Sequence, residues 1–293
     1  MAWSAQSWTA TRLALAHAVY AKARRESAYA PMSTPLGGGN VLLRSFDRQY
    51  IGNGTPATIP GQVVLESIKV RDAGLDQNRF SGLLPAHQGR PAVTPQRGGL
   101  YCSEDIRAAI AELFHYSQPN LSRSLIGRPQ RLALFTHRCF VSMRAVGELG
   151  VVNLNGDSPD MLPFFHRVQA DAEVARALAA ARYKDLFAAV YAPQDYAAAR
   201  GLGLGLEANP GIDGIQVISA RDYETDAGQQ RVMRTGDNVM LFGLDQRIAT
   251  DKLRIESLHL VDPVPGGHEL LVTHYARAGG GQFSRTGADR FMP

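Results

Sequence analysis

Residues 7–27 set Leu13, Ala16, His17 and Tyr20 at i, i+3, i+4 and i+7, which predicts an amphipathic helix. Proline and glycine then interrupt the chain in "APMSTPLGGGN". Short apolar runs at 40–46 and 61–70 predict strands, split by a loop holding Gly52, Gly54, Pro56 and Pro60. Residues 71–99 show no period. "GLYCS" reads as a strand running into a helix over 104–117, and 131–146 as one long or two short strands, followed by "GVVNLNG". An alanine-rich stretch from Pro159 to Tyr191 predicts two helices, and "PQDYAAARGLGLGLEAN" a further one that its glycines weaken. "DGIQVIS", "DNVMLFG", "KLRIESLHLV" and "HELLVTHY" read as strands, with a glycine-rich, mobile end after them. The mixture predicts an α+β chain of short strands with flanking helices, without internal repeats.

Composition narrows the classes. At 293 residues, 45% hydrophobic and 20% charged, the chain is globular and long enough for a sizeable core. The net charge of +4 has no dense basic cluster. It suits an anionic small molecule better than a nucleic acid, so no nucleic-acid partner is expected. Only Lys22, Lys69, Lys184 and Lys252 are lysines. The remaining cations are arginines, a bias that genome composition alone would give and that also suits bidentate anion recognition. Two cysteines, Cys102 and Cys139, fit a reducing compartment, and no Cys/His spacing of a zinc site or paired histidines predicts a metal. Gln6, Thr9, Arg12 and His17 break the N-terminal segment, which does not read as a signal peptide. No apolar run reaches the roughly 18 residues of a membrane span. The expectation is a soluble protein made in the cytoplasm, with no membrane partner; delivery into another cell by machinery that needs no signal peptide stays open.

The helix over 104–117 raises the chemical question. Ser103 suits its N-cap, and Glu104 and Asp105 suit its positive end. Ile106, Ala109, Ile110 and Leu113 make the core stripe. Glu112 falls about 100° from the stripe's centre, on the flank between core and solvent. A carboxylate there needs a partner or a polar cleft. A boundary glutamate paired to an arginine and a functional carboxylate both fit.

"GGLYCSEDIRAAIAELF" resembles the RES domain, the family named for its arginine, glutamate and serine. "NRFSG" at 78–82 resembles its arginine motif, "VVNLNG" one of its strands, and "DGIQVISARDYETDAGQQRVMRTGDNVMLFG" its closing segment. The four segments stand in the family's order over roughly 64–244. The resemblance implies an ADP-ribosyltransferase-like core over 64–244, with extensions at 1–63 and 245–293. It implies NAD+ as substrate and no metal. Carried over residue by residue, Glu112, Tyr101 and Arg79 are the catalytic set, and Arg79, Tyr101 and Ser219 bind the substrate. Glu112 would stabilise the oxocarbenium character that develops on the ribose as nicotinamide leaves. Tyr101 would offer a ring face, Arg79 clamp the pyrophosphate, and Ser219 orient its neighbours.

The implied activity is NAD+ glycohydrolysis by a toxin held in check by a cognate antitoxin or immunity protein. Transfer of ADP-ribose to a macromolecule at the same site, or an inactive partner-binding scaffold, stay open beside it. The chain departs from the family in a long loop, "LLPAHQGRPAVTPQRGG", whose Arg90 and Arg97 could take the place of Arg79, and in "VIS", which lacks the family's aromatic residue before the serine. Other signals carry less. Cys102, with His115 and His137, lacks any nucleophile signature around it. "GLGLG" at 201–205 is not a dinucleotide loop, because no strand leads tightly into it. "GGGN" at 37–40 lacks the lysine and hydroxyl of a phosphate loop. The alanine-rich helix at 170–182 reads as packing.

Overall fold

The computed structural model describes residues 8–32, 40–47, 79–97, 99–104, 109, 138–155, 160–192, 195–218, 237–242, 252–266, 269–277 and 283–291. Among these residues, nine strands form one mixed sheet: β1 (Val41–Asp47), β2 (Gly99–Ser103), β3 (Arg138–Ala145), β4 (Val151–Asn153), β5 (Gly214–Ile218), β6 (Asp237–Phe242), β7 (Leu253–Pro263), β8 (Leu270–Arg277) and β9 (Phe283–Phe291). Their order is β4-β5-β6-β2-β1-β3-β7-β8-β9. β4 and β5 run parallel, and the other neighbours pair antiparallel. The helices are α1 (Ala10–Glu26), α2 (Met161–Gln169), α3 (Ala172–Ala180), α4 (Leu186–Val190) and α5 (Ala197–Glu207). The architecture is α+β, as the sequence predicts. Among the described residues no helix is long and apolar enough to cross a membrane.

Strand alternation divides the core in two. On β6, Met240 and Phe242 face the helices, while Val239 and Leu241 point into a second cluster with Leu42, Val141 and Leu258. The helical cluster joins Leu15 and Val19 of α1 to Phe164, Leu178, Val190 and Leu202. α1 begins at Thr9, whose hydroxyl accepts from the Arg12 amide at 3.2 Å.

Every residue of α5 is buried. A Cβ at Gly201 would lie 2.3 Å from the Ala16 carbonyl oxygen, and one at Gly205 2.8 Å from Ala23 Cβ. Glycines one turn apart therefore let α1 lie directly on α5. The third, Gly203, admits the loop: a Cβ there would meet the Phe80 carbonyl oxygen at 2.0 Å. "GLGLG" is thus helix, as read, and its glycines are contact surfaces.

Two expectations change. The stretch 159–191 is three helices, restarted by Asp171, which accepts from the amides of Glu173 and Val174, and by Asp185, which accepts from that of Ala188. Residues 283–291, expected in a mobile end, pair with β8 as strand β9. The expected strand at 61–70 lies outside the described residues. So does the helix over 104–117 apart from Glu104 and Ala109, of which Ala109 is helical and buried.

Candidate functional site

Three of the segments that resemble the family meet at one end of four neighbouring strands; the fourth, at Arg79, borders the other end of β2, at Gly99. Ser103, the last residue of β2, pairs with Asn238, near the start of β6. Ile218, the last residue of β5, pairs with Asp237, and Asn153, the last of β4, with Gln216. Ser219 follows Ile218 in the chain, and Glu112 follows Ser103 by nine positions. Both Glu112 and Ser219 lie outside the described residues.

A polar network knits these strand ends. Asp237 accepts from Asn155 Nδ2 at 2.5 Å and from Gln216 Nε2 at 3.0 Å, and its carbonyl accepts from the Glu104 amide at 3.0 Å. Gln216 Nε2 also reaches Glu104 Oε1 at 3.2 Å. The Ser103 hydroxyl donates to Asn238 Oδ1 at 2.7 Å, and the amides that it would cap lie outside the described residues. Asn155 Oδ1 is buried without a hydrogen-bond partner among the described residues. Sequence reasoning did not single out Asn155, Gln216 or Asp237. The signal available was an asparagine-rich strand end, "VVNLNG", and an Asp-Asn pair opening a strand that is apolar from Val239 on.

Of the predicted site residues, Tyr101 and Arg79 are described. Tyr101 alternates with the buried Leu100 and Cys102, and its half-buried ring packs on the helical cluster. Its carbonyl accepts from Arg44 Nη1 at 2.9 Å. Arg79 is 4% exposed. Its Nη1 donates to the Val190 carbonyl at 2.9 Å, and its guanidinium lies 4.8 Å from the centre of the Tyr196 ring. Nη2 is buried without a hydrogen-bond partner among the described residues. The adjoining segment borders β2, since a Cβ at Gly99 would lie 3.5 Å from Ser81 Cβ. Arg79 and Tyr101 therefore share the helical side of the sheet. Removing a guanidinium from water costs several kcal/mol, and a ring face with one carbonyl offsets part of that. Such a group is ready for an anion.

The other arginines of the loop are committed elsewhere. Arg97 closes the C-terminal end of α5: its Nη2 donates to the carbonyls of Glu207 (2.6 Å), Ile212 (2.8 Å) and Asn209 (3.1 Å). Burial lowers its pKa against the pull of Glu207 and Asp213. Arg90, which closes a tight turn whose Gln88 and Gly89 both have positive φ, pairs with Glu173 of α3. Burial pushes the Cys102 thiol up to about 12, only partly opposed by Arg44, which leaves no reactive thiolate at neutral pH. No group of side chains able to hold a metal occurs among the described residues.

The RES domain model matches residues 66–261, and the chain belongs to that family. The match takes in all four sequence segments and ends within β7. No curated protein and no solved structure matches the chain.

Proposed function

We propose that the chain is an NAD+ glycohydrolase that cleaves the bond between nicotinamide and ribose, releasing nicotinamide and ADP-ribose. The observation that carries this reading is Arg79, a buried guanidinium fixed at one amino group and, among the described residues, with no partner at the other. A pyrophosphate oxygen suits that group, which would otherwise remain a costly buried donor. Tyr101 supports the reading as an aromatic face on the same side of the sheet.

In the proposed reaction Glu112 faces the ribose and stabilises positive charge as the glycosidic bond lengthens. Nicotinamide leaves neutral and needs no acid, so one carboxylate suffices. Water attacks the same carbon, and Ser219 holds Glu112 or the ligand in place. The polar network around Asp237 supports this role indirectly, because it fixes the strand ends from which Glu112 and Ser219 depart. The catalytic portion is assigned to 64–244, with 1–63 and 245–293 as extensions that share its sheet and core.

The protein is assigned to the cytoplasm of its maker, and an NAD+ consumer there calls for a neutralising partner that covers the cleft. Separation of products after the purified chain meets NAD+, beside Glu112→Ala, tests the reading. Matched nicotinamide and ADP-ribose, lost in the variant, are expected. Nicotinamide release that needs added lysate and leaves ADP-ribose on a macromolecule would make it a transferase; no turnover in either format would leave a binding scaffold.

A further inference from the structure

The last three strands carry a continuous hydrogen-bonded line of side chains that NAD+ cleavage does not use. Ser257 and His259 alternate along β7 and share a face, and His274 lies opposite His259 on β8. Asp289 stands on β9, opposite Val272. Ser257 Oγ lies 3.0 Å from His259 Nε2. His259 Nδ1 lies 2.8 Å from His274 Nδ1, with the rings edge to face at 5.0 Å. His274 Nε2 reaches Asp289 Oδ2 at 3.0 Å.

With both imidazoles neutral, the carboxylate fixes the direction of every bond. Ionised Asp289 only accepts, so His274 carries its hydrogen on Nε2. Neutral His274 then offers a lone pair at Nδ1, and His259 must donate from Nδ1. His259 Nε2 is left with a lone pair that accepts from the Ser257 hydroxyl. With both imidazoles neutral, this assignment satisfies all the contacts. Burial, with His274 beside it, holds the His259 pKa down to about 4, so the neutral ring persists at working pH. The polarity is that of a nucleophile, its base and an orienting acid, with a second imidazole between base and acid.

Ser257 stands apart from the NAD+ site. It pairs with Ser142, Ser142 with Leu43, and Leu43 with Ser103, so all four side chains share a face. Three strand spacings separate Ser257 from Ser103, about 14 Å.

We propose that Ser257 is a nucleophilic serine that accepts an acyl group from carboxylic esters. Its oxygen attacks the carbonyl carbon and forms the new C–O bond while its proton passes to His259 Nε2. The ester C–O bond breaks, and the departing alkoxide takes that proton and leaves as the alcohol. While His259 is charged, its Nδ1–H still donates to His274 and His274 still donates to Asp289, so the line spreads the charge without rearranging.

A fluorophosphonate reporter, which such a serine captures with loss of fluoride, tests this on the full chain. Peptide mass spectrometry is expected to place the adduct on Ser257 in the wild type and in Glu112→Ala alike, and to find none in Ser257→Ala. His259→Gln is expected to slow labelling by about a hundredfold, the usual worth of a general base. Asp289→Asn is a second variant that cannot disturb the core, since the carboxylate is 81% exposed; it is expected to slow labelling several-fold. The absence of an adduct on Ser257, or one that forms equally fast in the His259 and Asp289 variants, overturns the proposal.

Discussion

Arg79 Nη1 donates to the carbonyl oxygen of Val190 at 2.9 Å, a bond that ties the irregular segment beginning at Arg79 to the end of α4. The same bond sets the plane of the guanidinium against Tyr196 and commits one of its five donors. If Nη2 meets the pyrophosphate, Arg79→Ala weakens NAD+ binding by about tenfold to a hundredfold, the worth of a charged hydrogen bond. Arg79→Lys recovers little of this, because a lysine lacks the planar fork and the ring contact. Titration calorimetry with NAD+ checks both, alongside the melting temperature of each variant. Unchanged affinity in a folded variant removes Arg79 from the site.

Gly203→Ala is expected to destabilise the fold by about 1–3 kcal/mol or more, although alanine is the better helix former by about 1 kcal/mol. The added Cβ would meet backbone at 2.0 Å, and both α5 and the loop at Phe80 are too tightly packed to yield. Gly147→Ala is the control. A Cβ there meets nothing within 4 Å, so its effect should stay within about 0.5 kcal/mol. Denaturant midpoints of the two variants decide.

His259 gives stability a pH dependence of definite sign. Its folded pKa of about 4 lies below its ordinary value of 6.5, so the unfolded chain takes up a proton that the fold refuses. Stability is therefore full above pH 6.5, falls as pH drops through the window, and levels off below about 4. The loss attributable to this residue is on the order of 3 kcal/mol. His259→Gln should flatten that part of the curve, and denaturant titrations at stepped pH would expose an unchanged slope.

Cys102 should behave as a small apolar residue. With its thiol at about 12 and buried, a thiol reagent should modify it only on unfolding, and Cys102→Ala should keep NAD+ turnover. Rapid modification of native protein with loss of turnover would return it to the site.

The sequence made the elements legible wherever a period or a cap marks them. β1, β2 and β5–β8 follow from apolar runs, and α1 from its spacing of three and four. The break inside 159–191 was harder to see, because Arg182 takes the left-handed conformation (φ 62°) that a glycine usually advertises. The duties of Arg90 and Arg97 were hidden for another reason. Their partners, Glu173 and the carbonyls after Glu207, lie far along the chain, and a loop without a period carries no sign of them. The glycines of α5 read only as a weakness of the helix, because the backbone that approaches them, at Ala16, Tyr20 and Phe80, lies far along the chain. At the site, the family segments located the strand ends, whereas Asn155, Gln216 and Asp237 matter through contacts that only the sheet order creates.

β1 has a bearing on how the protein is dissected. Its residues, 41–47, precede the stretch shared with the family, yet the strand runs between β2 and β3. A fragment trimmed to the shared stretch would lose not only β8 and β9 from the margin but also the fifth strand of nine from the interior, leaving two facing rows of amides and carbonyls unsatisfied. It would also uncover the notches at Gly201 and Gly205 where α1 rests. The inherited unit and the foldable unit are therefore different lengths of chain, and the smallest working version of this protein must begin ahead of α1.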